Sequence, residues 1–290
     1  MTALVALDFD GTLAPISPHP DDARPLPGAE QVLREVRATG ATLAIVSGRS
    51  VASLLRVSGF GGVPGIIIYG THGVERWHEG SLRAPPAPPG LAELRVSLPG
   101  LLSLDPDLWI EEKELSLVVH ARLTADPVRV LEKLRAPVEK AAAAAGLGVR
   151  PGKEVLEICI PGIDKGTALR ELIRADTTSV FYAGDDVGDL PAIAEVEAWA
   201  ARTGRPALTV GVGPGRPGCP SAGQAAGAGG NGPLVGRTSA EGADRPNGPL
   251  VGRTDVTVPG PASLLSLLRQ FIEDDLDSCL QGVVRSGIST

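Results

Sequence analysis

Five short apolar runs constrain this chain more than any other feature. They are Ala3–Phe9, Thr42–Val46, Gly65–Tyr69, Ser179–Ala183 and Ala207–Val212. The runs are near-continuous, not alternating, so each suits a strand covered on both faces, as in a parallel sheet. Helical patterns lie between several of them. Gly28–Ala38 puts Val32, Leu33 and Val36 on one side, and Gly166–Arg174 does the same with Ala168, Leu169, Leu172 and Ile173. A last helix, about Ala262–Ile272, carries Leu264, Leu265, Leu268 and Ile272. Strands alternating with helices predict an α/β fold built on a doubly wound parallel sheet.

The alternation breaks between about Trp77 and Ile163. A Pro-rich connector, Ala84–Gly90, opens this segment, and an alternating stretch, Leu108–Leu123, follows it. A helix over about Pro127–Ala145 and a strand over Glu154–Ile160 complete the pattern of a smaller α+β cap domain inserted into the first. The expected organisation is core over 1–76, cap over 77–163, core again over 164–275 and a tail over 276–290. Residues of about 213–253 are dense in Gly, Pro, Ala and Ser and contain a tandem duplication, Asn231–Thr238 recurring as Asn247–Thr254. This reads as a flexible insertion before a sixth strand at Asp255–Val258. Its Gly213–Gly218 run matches G-x-G-x-x-G in form, but prolines interrupt it and no helical pattern follows, which argues against a dinucleotide site.

A length of 290 residues suits two modest domains. The net charge of −7 argues against non-specific nucleic-acid binding, which needs clustered Lys and Arg. A small anionic substrate is compatible with it, because a few local cations serve one phosphate. Three cysteines without C-x-x-C spacing give neither a disulfide framework nor a zinc site, and fit a reducing cytoplasm. The N-terminal segment lacks the pattern of a signal peptide, and no apolar run reaches the roughly 18–20 residues of a membrane span.

Four motifs carry chemistry. Asp8-Phe9-Asp10-Gly11-Thr12 follows the first strand, where ligands of such sheets bind. Its two carboxylates can serve as nucleophile and acid/base, and Gly11 lets the chain turn and offer backbone N–H groups to an anion. A calcium loop counted from Asp8 would need Gly and Glu where Leu13 and His19 stand. Ser47-Gly48-Arg49 follows the second strand, where a hydroxyl and amides at a helix start can hold phosphate; alone it reads equally as a helix cap. Asp164-Lys165-Gly166-Thr167 precedes a helix, and its Lys can neutralise a phosphoryl oxygen or lie solvated. Asp185, Asp186 and Asp189 follow the fourth strand. Three carboxylates this close repel one another unless a cation relieves them, and hard oxygens suit magnesium; a helix N-terminus explains one such Asp, less easily three.

The ordered set D-x-D-G-T, Ser, Lys, G-D-x-x-x-D resembles the haloacid dehalogenase-like phosphatases, over about residues 1–75 and 163–272. The resemblance implies Asp8 as nucleophile, Asp10 as general acid/base, and Ser47 and Lys165 as holders of the phosphoryl oxygens. It implies Mg2+ on Asp8, the backbone carbonyl of Asp10 and Asp185, supported by Asp189 and Asp186. Gly11, Thr12, Gly48 and Arg49 would line the phosphate.

The inserted segment is similar to that of trehalose-6-phosphate phosphatases. Glu111, Lys113, Ser116, His120 and Arg122 match their E-x-K-x-x-S-x-x-x-H-x-R stretch and Lys153 and Glu157 their G-K-x-V-x-E strand; outside the insertion, His72-Gly73 after the third strand matches as well. The implied substrate is a sugar phosphate, trehalose 6-phosphate first, with a functional link to a trehalose-phosphate synthase. Sucrose-phosphate, glucosylglycerol-phosphate or mannosyl-phosphoglycerate phosphatases, a phosphomutase and a non-catalytic sugar-phosphate-binding module are the competing readings. As a competing account of Glu111, Lys113 and Arg122, a cross-strand charge ladder serves equally for any one of them. Two positions depart from the pattern: Cys159 stands where a basic residue is frequent, and Ala121 where an aromatic one is.

Overall fold

Burial on both sides explains the continuous apolar runs. The computed structural model describes residues 2–17, 19–102, 105–152, 154–214, 250 and 253–273. Thr2–Leu7 forms β1, which sends Val5 and Leu7 into one apolar layer and Leu4 and Ala6 into another. The chain continues through α1 (Ala29–Ala38), β2 (Thr42–Val46), α2 (Val51–Ser58), β3 (Ile67–Gly70), β4 (Glu75–His78) and β5 (Ser81–Arg83). There follow α3 (Pro89–Leu101), β6 (Trp109–Glu112), β7 (Leu117–His120), α4 (Pro127–Ala144), β8 (Gly148–Gly152) and β9 (Val155–Cys159). The last elements are α5 (Lys165–Leu172), β10 (Thr177–Gly184), α6 (Leu190–Thr203), β11 (Ala207–Val212), β12 (Val256–Val258) and α7 (Pro261–Glu273).

The larger sheet runs β12-β11-β10-β1-β2-β3-β4-β5, parallel from β12 to β3 and antiparallel through β4 and β5. Helices α1, α2 and α7 pack on one face, and α5 and α6 on the other. This is the doubly wound α/β sheet expected from the sequence. Strand order reverses between β1 and β10, so their carboxyl ends bracket the crevice where such sheets bind ligands.

The chain divides into two compact units, residues 1–83 with 164–290, and residues 84–163. The sequence reading begins the insertion at 77, but β4 and β5 extend the larger sheet and the second unit begins at Ala84. That unit is a four-stranded antiparallel sheet, β6-β7-β9-β8, with α3 and α4 on one face. Leu117, Val119, Leu156 and Ile158 point into its apolar core. Register puts Glu111 opposite Val118, Val118 opposite Glu157, and Glu157 opposite Arg150. These residues alternate with the core positions, so they occupy the helix-free face. Lys153, residues 215–249, 251 and 252 of the insertion read over about 213–253, and the tail after 273 lie outside the described residues, whereas Leu250, within the segment read as flexible, is buried in the apolar layer of α5 and α6.

Candidate active site

Glycine decides how closely the loops at the switch point approach. Gly11 turns the chain after β1 with φ +76°, and a Cβ there would lie 2.0 Å from Asp185 Oδ2. No side chain fits, so the loop after β1 rests directly on the loop after β10. Gly184 does the same at the other end, since its Cβ would meet the Asp189 carboxylate at 2.3 Å.

Asp8, Asp185 and Asp189 come together, each offering an oxygen within 4.8 Å of the others. Lys165 enters as the first residue of α5, whose N-cap Asp164 accepts from the Thr167 N–H. Its ammonium lies 2.8 Å from Asp8 Oδ1 and 2.7 Å from Asp189 Oδ1. Burial works against that cation, but Asp189, Asp8 and Asp186 outweigh burial and hold Lys165 above the usual lysine range. Burial raises Asp8 well above the usual carboxylate range, against the pull of Lys165 and with the repulsion of Asp189, Asp185 and Asp186. Burial, with Asp189 and Asp186, pushes Asp185 up to about 8. Asp186 is raised as well, by burial first.

One ammonium among these carboxylates leaves the cluster short of positive charge, which a divalent cation on hard oxygens would supply. The three acids differ in what they can offer it. Asp189 is fully buried and its oxygens accept from Lys165, the Tyr182 hydroxyl (2.5 Å) and the backbone N–H groups of Asp185 and Asp186 (3.1 Å each). It therefore shapes the loop, and Asp8 and Asp185 have more oxygen capacity left for a metal. Asp186 lies outside this trio; its carboxylate caps the short turn Val187–Asp189 by accepting from the Gly188 N–H at 2.8 Å.

Asp10 also lies outside the trio. Arg49 grips its carboxylate with two bonds of 2.7 Å, a planar fork that fixes orientation as well as charge. Ser47, at the end of β2, is buried, and its Oγ accepts from the Arg49 N–H at 3.2 Å. Thr12 Oγ1 is buried without a hydrogen-bond partner among the described residues. A hydroxyl left so costs about 1–3 kcal/mol, which an oxyanion acceptor would recover.

His72 stands over Gly48: a Cβ on Gly48 would be 2.8 Å from its Nε2. The turn presenting it is strained, with φ +47° at Thr71 and +58° at His72, and Gly73 follows at +112°. Buried Glu75 holds this turn by accepting from the Thr71 hydroxyl at 2.6 Å and the Val51 N–H at 3.0 Å. Motif reading missed Glu75 and Tyr182. The polar hydroxyl of a tyrosine inside a buried strand was the available signal for the latter.

In the smaller unit, the helix-free face gathers most of the polar residues expected there. Glu157 accepts from the Ser116 hydroxyl at 2.9 Å, with Lys113 Nζ at 3.7 Å and Arg150 at 3.3 Å. His120 pairs with Glu111 at 3.0 Å and stacks on Trp109 at 3.7 Å. The His120 hydrogen bond draws Glu111 below the usual glutamate range, against its burial. Arg122 lies apart, on Glu154 at 3.3 Å.

The trehalose-phosphatase family model matches residues 6–203. A trehalose-phosphate phosphatase of Mycobacterium ulcerans (strain Agy99) is 36% identical over 198 residues, covering 64% of this chain and 49% of the relative. That of Mycobacterium leprae (strain TN) is 36% identical over 191 residues, covering 63% and 42%. The chain thus spans about half the length of the curated relatives it matches. Among solved structures, the C-terminal domain of Candida albicans trehalose-6-phosphate phosphatase aligns with a TM-score of 0.68 at 18% identity, covering 94% of this chain and 92% of that one. A trehalose-6-phosphate phosphatase related protein aligns with a TM-score of 0.64 at 21% identity, covering 95% and 100%. At these identities the likeness concerns the fold.

Proposed function

Because the chain belongs to the trehalose-phosphatase family, we propose that it hydrolyses a sugar phosphate monoester, trehalose 6-phosphate first, with Asp8 as nucleophile. The observation that carries the reading is the cluster of buried Asp8 and Asp189 and half-buried Asp185 around the Lys165 ammonium at the sheet's switch point. A magnesium ion on Asp8 and Asp185 would supply the missing positive charge and polarise the phosphoryl group.

In the first step an Asp8 oxygen bonds to phosphorus as the bond from phosphorus to the sugar oxygen breaks. Asp10 delivers a proton to the departing oxygen. In the second, water attacks the aspartyl-phosphate, Asp10 takes the proton, and the bond from Asp8 to phosphorus breaks, leaving phosphate and free Asp8. Lys165, the Ser47 hydroxyl and the amides of the Gly11 and Gly48 turns hold phosphoryl oxygens, since such transfers need positioning and charge neutralisation above all. Arg49 orients Asp10. The polar face around Glu157 and Glu111 suits the hydroxyls of a sugar. A reaction that forms the disaccharide phosphate must supply this substrate, which ties the enzyme to a trehalose-phosphate synthase.

Phosphate release from a panel of sugar phosphates, with magnesium or chelator, tests the reading. Release led by trehalose 6-phosphate, needing magnesium and lost in Asp8→Asn, is expected. Faster release from another sugar phosphate would move the substrate. No release from any of them would overturn the hydrolytic reading.

A further inference from the structure

The buried carboxylate of Glu157 is held from several directions, and one of its partners belongs to no motif. Arg150 stands on β8, directly opposite Glu157 on β9. Its guanidinium forks. One arm donates to Glu157 Oε2 at 3.3 Å, and the other to the backbone carbonyl of Ile163 at 2.6 Å. Ser116 and Lys113 approach the other oxygen, Oε1. Ile163 belongs to the same unit as Arg150 and Glu157.

We propose that Arg150 is a specificity-determining positioning residue, which orients Glu157 for the sugar by tying it to the backbone of Ile163 within the same unit. The proposal rests on the sugar-phosphatase reading and deepens it. A free glutamate side chain loses rotamer freedom whenever it engages a hydroxyl. Donors on both oxygens remove that loss before the sugar arrives, which is how preorganisation raises affinity. The fork also matters at the Ile163 end. A planar guanidinium donates in two fixed directions at once, which a lysine ammonium cannot reproduce with the same geometry. Among the described residues the two bonds use two of its five N–H groups, which leaves donors for a sugar hydroxyl.

The neighbouring position supports a rescue test. Cys159 lies two residues beyond Glu157 on the same face of β9, opposite Gly148 on β8. Burial raises its thiol while Arg150 acts in the opposite sense, so the guanidinium is within electrostatic reach of position 159. An arginine there would enter the space that Arg150→Ala vacates.

The experiment measures kcat and KM for trehalose 6-phosphate and for p-nitrophenyl phosphate, with magnesium, on the full chain and on folded variants checked by thermal denaturation. Arg150→Ala is expected to lower kcat/KM for the sugar phosphate about tenfold to a hundredfold, the range of a lost charged hydrogen bond, and to leave the small ester within about twofold. Arg150→Lys should fall between, and provides the measurement should the alanine variant not fold. If Arg150 acts through Glu157, Arg150→Ala with Glu157→Gln loses clearly less than the product of the single losses. Adding Cys159→Arg to Arg150→Ala should restore part of the sugar-phosphate activity. Equal losses on both substrates, multiplicative losses in the double variant, or an unchanged Arg150→Ala and Arg150→Lys would each overturn the proposal. Failure of the functional reading is separate, because it appears in the wild type as no release from trehalose 6-phosphate.

Discussion

A cation on Asp185 would couple protonation, metal binding and stability in one residue. The Asp185 carboxyl rises from an ordinary 3.8 to about 8 through burial, Asp189 and Asp186. Between those values the folded chain holds a proton that the unfolded chain has released. Stability without metal is therefore fully present below the lower value and is lost as pH rises through the upper one. A cation on the same oxygens displaces the proton and removes that penalty. With chelator, the melting temperature should fall between about pH 5 and pH 8.5. Magnesium should raise it more at the upper end, and Asp185→Asn should abolish most of that rise. A magnesium shift that is equal at both pH values would refute the coupling. That Asp8, Lys165 and Asp185 come together was legible in the sequence because the ordered motifs place each at a strand end or helix start on the same edge of the sheet. The Tyr182 hydroxyl was not, since its bond to Asp189 depends on which way β10 faces in the sheet.

At the scale of elements, the turn between β3 and β4 is strained. A β-branched Thr71 at φ +47° is costly, by about 1–3 kcal/mol. Glu75 offsets the cost by joining that turn to the first N–H of α2. Replacing it with alanine leaves two buried donors without their acceptor, so Glu75→Ala should destabilise the fold by about 1–3 kcal/mol or more in urea unfolding. Glu75→Gln, which retains one acceptor oxygen, should cost less. Equal stability of wild type and Glu75→Ala would sink this account. The parallel strands and α1, α4, α5 and α7 were readable from apolar periodicity. Helix α3 was not, although Leu91, Leu94, Leu98 and Leu101 keep helical spacing. The proline-rich run Ala84–Gly90 reads as a connector, yet its Pro89 opens the helix, because the first turn's N–H groups have no intrahelical partner to lose. Strands β4 and β5 were assigned to the insertion because pairing with β3 is a tertiary fact that local pattern does not carry.

For the molecule as a whole, separate apolar cores imply separable losses. The larger unit closes its sheet between two layers, and the smaller one has a core of its own in which Leu94, Leu98, Leu134 and Val138 pack on the sheet. Leu94 is 2% exposed and belongs to that second core alone. Removing its side chain should cost about 2–5 kcal/mol of the smaller unit's stability. Asp8, Lys165 and Asp185 all belong to the larger unit, whose packing the substitution leaves intact. On the proposed reading, a small artificial ester needs the phosphoryl chemistry alone, whereas a disaccharide phosphate also uses the polar face around Glu157. On warming, Leu94→Ala should therefore lose turnover of trehalose 6-phosphate several degrees before it loses turnover of p-nitrophenyl phosphate, while the wild type loses the two together or nearly so. Both activities failing at one lowered temperature would mean that the units unfold as one cooperative body, and that the smaller core stabilises the Asp8 cluster as much as the polar face around Glu157.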